Sequence, residues 1–202
     1  MSTTSSKTEQ ASFVIHFGPS LRKLNDREFF EFCQLNRDLR IERTSEGDVM
    51  VMPPTGSKTG SRNFSLAVQF GAWVEKDGTG KGFDSSSGFK LPNRATRSPD
   101  LSWIRNERWE ALSQNEQEVF APICPDFVVE LRSPSDRINY VQAKLREYID
   151  NGAQLGWLID PIEEKVYIYR PHVEVESLDR PLTVSGEPLL RGFVLDLEPL
   201  WS

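Results

Sequence analysis

Apolar positions along this chain follow two periods, and Gly, Pro and Asn mark where one gives way to the other. In SRNFSLAVQFGAWVEKDG, residues 61–78, Leu66, Ala67, Phe70, Trp73 and Val74 gather on one side at about 100° per residue, which predicts an amphipathic helix. Asn63 is the polar member at the N-terminal end of that stripe. A second helix is predicted from SPSDRINYVQAKLREYIDNG, opening after Ser135 or Asp136 and closing with Gly152 as the C′ residue. Its buried stripe is Ile138, Val141, Leu145, Tyr148 and Ile149, with Lys144 at the edge, about 40° from Tyr148. NDREFFEFCQLN predicts a shorter helix capped by Asn25 or Asp26.

Between these helices the pattern shortens to that of strands. LRIERTSEGDVMVMPP reads as a hairpin around Ser-Glu-Gly-Asp, stopped by two prolines. GFDSSSGFKLP and SPDLSWI are strand candidates, a short helix follows near residues 108–112, and PDFVVELRS has the apolar run of a strand buried on both faces. LGWLID and KVYIYRP, joined by the turn PIEE, form a closing pair, and SGEPLLRGFVLDLEPLW predicts a short strand that packs back. Helices alternate with strands, without internal repeat or interdomain linker, which predicts an α/β fold. The expected organisation is a flexible N-terminal segment, residues 1–18, followed by a single domain over residues 19–202.

Composition narrows the function classes. With 38% hydrophobic and 27% charged residues the chain is globular, and no apolar run approaches the ~20 residues that cross a bilayer. The start, MSTTSSKTEQ, lacks the basic and apolar regions of a secretory signal, so a cytoplasmic protein without membrane attachment is expected. Cys33 and Cys124 lack metal-type spacing and read as two reduced thiols. His16 and His172 have no partners at ligand spacing, which sets aside a zinc centre or a His-based triad. A net charge of −6 argues against coating nucleic acid through a global basic field. Residues 81–108 nevertheless hold six Lys/Arg against three Asp/Glu, a local strip compatible with phosphate contact.

The candidate chemistry lies in two Pro-Asp pairs, ending at Asp100 and Asp126, and in Glu130, which interrupts the buried run Phe-Val-Val-Glu-Leu. A buried carboxylate needs a partner. Asp126 and Glu130 share a strand face but stand about 13 Å apart at ~3.3 Å per residue, too far for both to hold one ion at ~2.1 Å. Asp126 is therefore read as a strand-entry residue. Asp100 opens a different strand and can lie beside Glu130 if the two are neighbours; two facing carboxylates then require a proton or a cation, for which Mg²⁺ is suited. Lys144 can reach the same end of the sheet, and Arg132, two residues after Glu130, is the competing cation. Each has an ordinary structural counterpart, since edge lysines snorkel, Asp after Pro caps turns and Glu beside Arg forms ion pairs. The signal lies in the ordered set. GTGKG at 78–82 follows a helix and lacks Ser/Thr after Lys81, so it is read as a turn and not as a phosphate-binding loop.

Five stretches in order, MPPTGSKTGSRN, DSSSGFKLPNRATRSPDLSWI, PDFVVELRSPSD, AKLREYIDNGAQLGWLIDP and VYIYRP, resemble a bacterial restriction-endonuclease family long catalogued as a domain of unknown function, within the PD-(D/E)XK nuclease superfamily. The resemblance runs from about residue 22 to 202. It implies a restriction-endonuclease-like core of helix, three-stranded meander, second helix and further strand, with an added N-terminal β-hairpin. Asp100 resembles the motif aspartate and Glu130 the second acid. Arg132 stands where the superfamily carries its lysine, a departure that points to Lys144 for that role. Glu42 resembles an additional family acid, Asn63 a polar site-side position and Gln69 a weaker one. The implied activity is hydrolysis of DNA phosphodiester bonds, with Asp100, Glu130 and the Leu131 carbonyl holding Mg²⁺ or Mn²⁺; the basic strip then offers Arg94 and Arg97 to backbone phosphates, and cutting both strands calls for a homodimer. Nothing in the chain speaks for or against a partner methyltransferase. The rival expectation, favoured by Arg132 and the acidic balance, is a catalytically inactive nuclease fold serving as a nucleic-acid or protein interaction module.

Overall fold

Among the described residues two large sheets and one two-stranded sheet are present, and residues 98–100 lead from the last strand that the chain gives to the first large sheet back into the second. The computed structural model describes residues 13–15 and 23–201. One sheet contains β1 (Phe13–Ile15), β2 (Arg40–Arg43), β3 (Val49–Met52), β5 (Phe89–Lys90) and β6 (Thr96–Arg97), in the order β1-β3-β2-β6-β5. The other contains β4 (Gly80–Asp84), β7 (Leu101–Arg105), β8 (Phe127–Leu131), β9 (Leu155–Asp160), β10 (Lys165–Tyr169) and β11 (Glu176–Asp179), in the order β11-β10-β9-β8-β7-β4. β8 and β9 run parallel, a pairing that requires a crossover, and α5 (Ile138–Asp150) supplies it. The fold is mixed α/β as expected: α2 (Ser57–Asp77) precedes the antiparallel set β4-β7-β8, which β5 and β6 interrupt in sequence, α5 and β9 follow, and β2 and β3 form a hairpin ahead of α2.

Local chemistry explains the helix ends. α1 (Asp26–Leu35) opens with a reciprocal capping box between Asn25 and Glu28. α2 starts at Ser57, earlier than its apolar stripe predicts. The helix α5 is capped by Arg137 without a side-chain bond, because Asp136 turns back to accept from the Ser133 N–H at 2.8 Å. Gly152 takes φ +113° just beyond α5, where an L side chain is strained. In β9 a Cβ on Gly156 would sit 2.8 Å from Leu145, so glycine lets α5 lie close on the sheet.

The six-stranded sheet is buried on both faces. Leu66 and Phe70 of α2 pack with Trp103, Phe127, Val129 and Trp157 on one side. On the other, Val141, Leu145 and Tyr148 of α5 pack with Ile104, Val128 and Leu158. All five residues of β8 are buried, as its apolar run predicts, and alternation puts Glu130 with Val128 on the α5 face.

Some expectations change. Within the segment 1–18, expected to be flexible, Phe13–Ile15 pairs antiparallel with β3; the remainder, His16 included, lies outside the described residues. The tail forms a hairpin, β12 (Thr183–Ser185) and β13 (Val194–Asp196), followed by α6 (Glu198–Trp201), where one short strand is predicted. Two short helices, α3 (Asn106–Glu110) and α4 (Gln114–Gln117), stand where one is predicted. Cys33 and Cys124 are free. Among the described residues no helix is long and apolar enough to cross a membrane.

Candidate active site

The register Leu101↔Val129 and Ser102↔Val128 of the antiparallel pair β7–β8, continued by one residue, sets Asp100 opposite Glu130 on the α5 face. Both line a cleft of about 580 Å³. Oδ2 of Asp100 accepts from the Leu131 N–H at 2.9 Å. Its Oδ1 faces both terminal nitrogens of Arg40 at 3.2 Å. Leu131 lines the same cleft.

Lys144 joins this pair to the other sheet. Its Nζ lies 2.8 Å from Glu130 Oε1 and 2.8 Å from Glu42 Oε1. Tyr148, one turn later on α5, donates its hydroxyl to Glu130 Oε1 at 3.1 Å. Glu42 is fully buried because alternation in β2 sends Arg40 and Glu42 to one face, and Ile41 and Arg43 toward α1. The β2–β6 register brings Arg97 opposite Glu42, and Glu42 Oε2 accepts from Arg97 at 3.1 Å. The Ser98 N–H completes the cage at 2.9 Å from Glu42 Oε1.

Burial and neighbouring charge divide the two glutamates. Burial pushes the Glu130 carboxyl up to about 7; Lys144 opposes this, and the negative fields of Asp100 and Glu42 add to it. Burial acts the same way on Glu42, but Lys144 and Arg97 outweigh it and hold that carboxyl down at about 2. Lys144 is likewise buried, yet Glu130 and Glu42 keep it protonated and raise its pKa. Four carboxylates, those of Asp100, Glu130, Glu42 and Glu147, face three cations, Arg40, Arg97 and Lys144. Fully ionised, this network carries one uncompensated negative charge.

Several predicted residues sit elsewhere. Arg97, expected on a phosphate, is 6% exposed and committed to Glu42 and to Glu147, which it reaches at 2.6 Å. Arg94 is exposed at a left-handed bend and is not a lining residue of the cleft. Arg132, the alternative cation, turns to Asp160 at 2.7 Å. Asp126 is the strand-entry residue expected, bonded to Arg108 at 2.9 Å and to the Arg105 N–H at 3.0 Å. Gln69 pairs through both amide atoms with the backbone of Asp196. Asn63 lines the cleft. The sequence reading missed Arg40, Tyr148 and Glu147. Two signals were available: Arg40 shares a strand face with Glu42, and Tyr148 stands four residues after Lys144.

The donor set fits a hard divalent cation. Among the described residues no hydrogen bond reaches Glu130 Oε2, and Asn63 Oδ1 is buried without a partner. No group of three or more acid, His or Cys side chains that could hold an ion converges among the described residues. Two carboxylates suit Mg²⁺, which keeps several waters and takes one or two such ligands. Arg40 and Lys144 would compete for the same oxygens.

The family model described as "Uma2: Putative restriction endonuclease" matches residues 26–198. No curated protein matches the chain. A crystal structure from Anabaena variabilis ATCC 29413, described as "a putative nuclease belonging to DUF820", is similar at TM-score 0.70 and 24% identity, covering 88% of this chain and 97% of that one. At that identity the likeness speaks for the fold.

Proposed function

Because the chain belongs to the Uma2 restriction endonuclease family, we propose that it is a metal-dependent endonuclease cutting DNA phosphodiester bonds, with Asp100 and Glu130 holding Mg²⁺ or Mn²⁺. The observation that carries this reading is the facing of Asp100 and Glu130 across β7 and β8, at the cleft, with the Lys144 ammonium against Glu130. The ion, when bound, supplies polarisation of the phosphoryl group and a lowered pKa for a water molecule. Lys144 does not act as a base, since two carboxylates hold its proton. Its positive charge favours the negative charge that develops on phosphate in the transition state. Glu42 stays ionised and fixes both Lys144 and Arg97. Tyr148 stays a phenol and orients Glu130 by donation. Cutting both strands of a duplex calls for two sites, so the active form in this reading is a homodimer. The test is plasmid nicking with Mg²⁺ or Mn²⁺, comparing wild type with Asp100→Asn and Glu130→Gln. Both variants are expected to lose activity; equal cleavage by all three would mean that the nicking comes from elsewhere.

A second reading, the inactive nuclease fold used as an interaction module, draws on one observation: both Asp100 oxygens already have partners, Arg40 and the Leu131 N–H. Calorimetry with Mn²⁺ separates the two. Heat that disappears in Asp100→Asn supports the nuclease, whereas DNA binding without metal uptake supports the module.

A further inference from the structure

The contact between Arg40 and Asp100 is loose in a specific way. Arginine meets a carboxylate most strongly as a fork, two N–H groups on two oxygens. Here both terminal nitrogens crowd one oxygen, Oδ1, at 3.2 Å, because the Leu131 N–H already occupies Oδ2. One terminal nitrogen also donates to the Ser98 carbonyl at 2.8 Å, while Nε is buried without a partner. The guanidinium is thus under-used as a donor, yet 34% of the side chain is exposed and it lines the cleft. Arg37 lines the cleft as well and is exposed. From Arg37 through Arg40 to Lys144, the cations in this cleft run from exposed to buried. Arg94 and Arg97 offer no such path.

We propose that Arg40 is an exchangeable cation: it rests on Asp100 in the free protein, opposing uptake of the divalent ion, and moves onto a backbone phosphate when nucleic acid enters, releasing Asp100. This rests on the reading of Asp100 and Glu130 as the ion-holding pair. A phosphate offers oxygens to the spare N–H groups that a single carboxylate oxygen cannot engage. Like charges a few ångströms apart oppose each other strongly where water is partly excluded. DNA and metal binding are therefore coupled through one side chain.

The experiment compares wild type, Arg40→Gln, Arg40→Lys and Asp100→Asn, with Arg40→Met as a second neutral variant should Arg40→Gln fail a thermal-melt check. Mn²⁺ affinity is measured by calorimetry without DNA. Binding of a non-specific duplex is measured in Ca²⁺ across a salt series. In Arg40→Gln, Mn²⁺ should bind about tenfold tighter or more, and the slope of log affinity against log salt should become shallower by about one. Arg40→Lys, which keeps the charge, should stay close to wild type in both. Unchanged Mn²⁺ affinity or an unchanged salt slope in Arg40→Gln, against Asp100-dependent uptake by wild type, overturns the role of Arg40 alone. Absence of Mn²⁺ uptake by wild type and Arg40→Gln alike overturns the parent reading and this inference with it.

Discussion

Strand β8 has an aspartate at its entrance and a glutamate near its exit, and the two ends are built differently. At the entrance, Asp126 is buried with its oxygens on Arg108 and the Arg105 N–H. At the exit, Glu130 faces Asp100, shares Lys144 with Glu42, and opens onto the cleft. The first arrangement is closed and satisfied. The second has more acids than bases, a loosely bonded arginine and a carboxyl lifted to about 7. An acid in a strand is therefore not a functional signal by itself; incomplete compensation beside open volume is what separates the two ends.

The sharpest way to break this contrast is to exchange the fates of the two aspartates. Asp100→Asn is expected to lower nicking by at least about 10³-fold, equivalent to about 4 kcal/mol or more, with little change in melting temperature. Asp126→Asn should do the reverse, keeping nicking within about threefold while losing about 2 kcal/mol of stability in urea unfolding. If both lose activity alike, the entrance is not merely structural.

Next in size is Glu42→Gln, which leaves Lys144 and Arg97 buried with one carboxylate fewer and should lower stability by on the order of 3 kcal/mol. Its pH signature has a definite sign. The folded-state pKa of Glu42 is depressed from 4.5 to about 2, so its stabilisation is present above 4.5 and lost as pH falls through 2. The free energy of urea unfolding should therefore fall more steeply between pH 5 and pH 2 in wild type than in the variant.

Glu130 titrates with the opposite sign. Its folded-state pKa is raised from 4.5 to about 7, so stability declines as pH climbs through that interval. Glu130→Gln, neutral at every pH, should be more stable than wild type at pH 8, by on the order of 1–2 kcal/mol, and nearly equal to it at pH 4.5. The same variant should be inactive, so a gain in stability would accompany a loss of nicking. The smallest effect is reserved for Arg132→Lys. With its guanidinium on the buried Asp160 and away from the acid pair, the substitution keeps the charge but loses the Nε bond to the Asp136 carbonyl, so it should cost about 1 kcal/mol and leave nicking within about threefold. A large loss of activity would restore Arg132 as the working cation.

What was legible in the sequence was local or nearly so. The stripes of α2 and α5, the N-cap of α1 and the pairing of β9 with β10 follow from periods and turn residues a few positions apart. Spacing within β8 sets Asp126 aside and lets Asp100 face Glu130 only if the two strands are neighbours, and the β7–β8 register supplies that condition. Lys144 was found from its angle on the helix. Arg97 was misread because β5 and β6 have two residues each, too few to show alternation, so nothing marked its side chain as buried. The partner of Arg132 lies on β9, a parallel neighbour reached only after the α5 crossover.

By itself, then, the amino-acid order determined most of the helices and strands and set Asp126 apart from Glu130, since a periodic apolar stripe and the spacing within one strand are decided over a handful of residues. Only the tertiary structure decided which cation answers each acid. Arg40, Glu42 and Arg97 come from one sheet, Glu130 from the other with Asp100 just ahead of its strand β7, and Lys144 from the helix between β8 and β9. Coulomb interactions depend on distance in space and on exclusion of water, and neither is set until the two sheets and α5 have packed together.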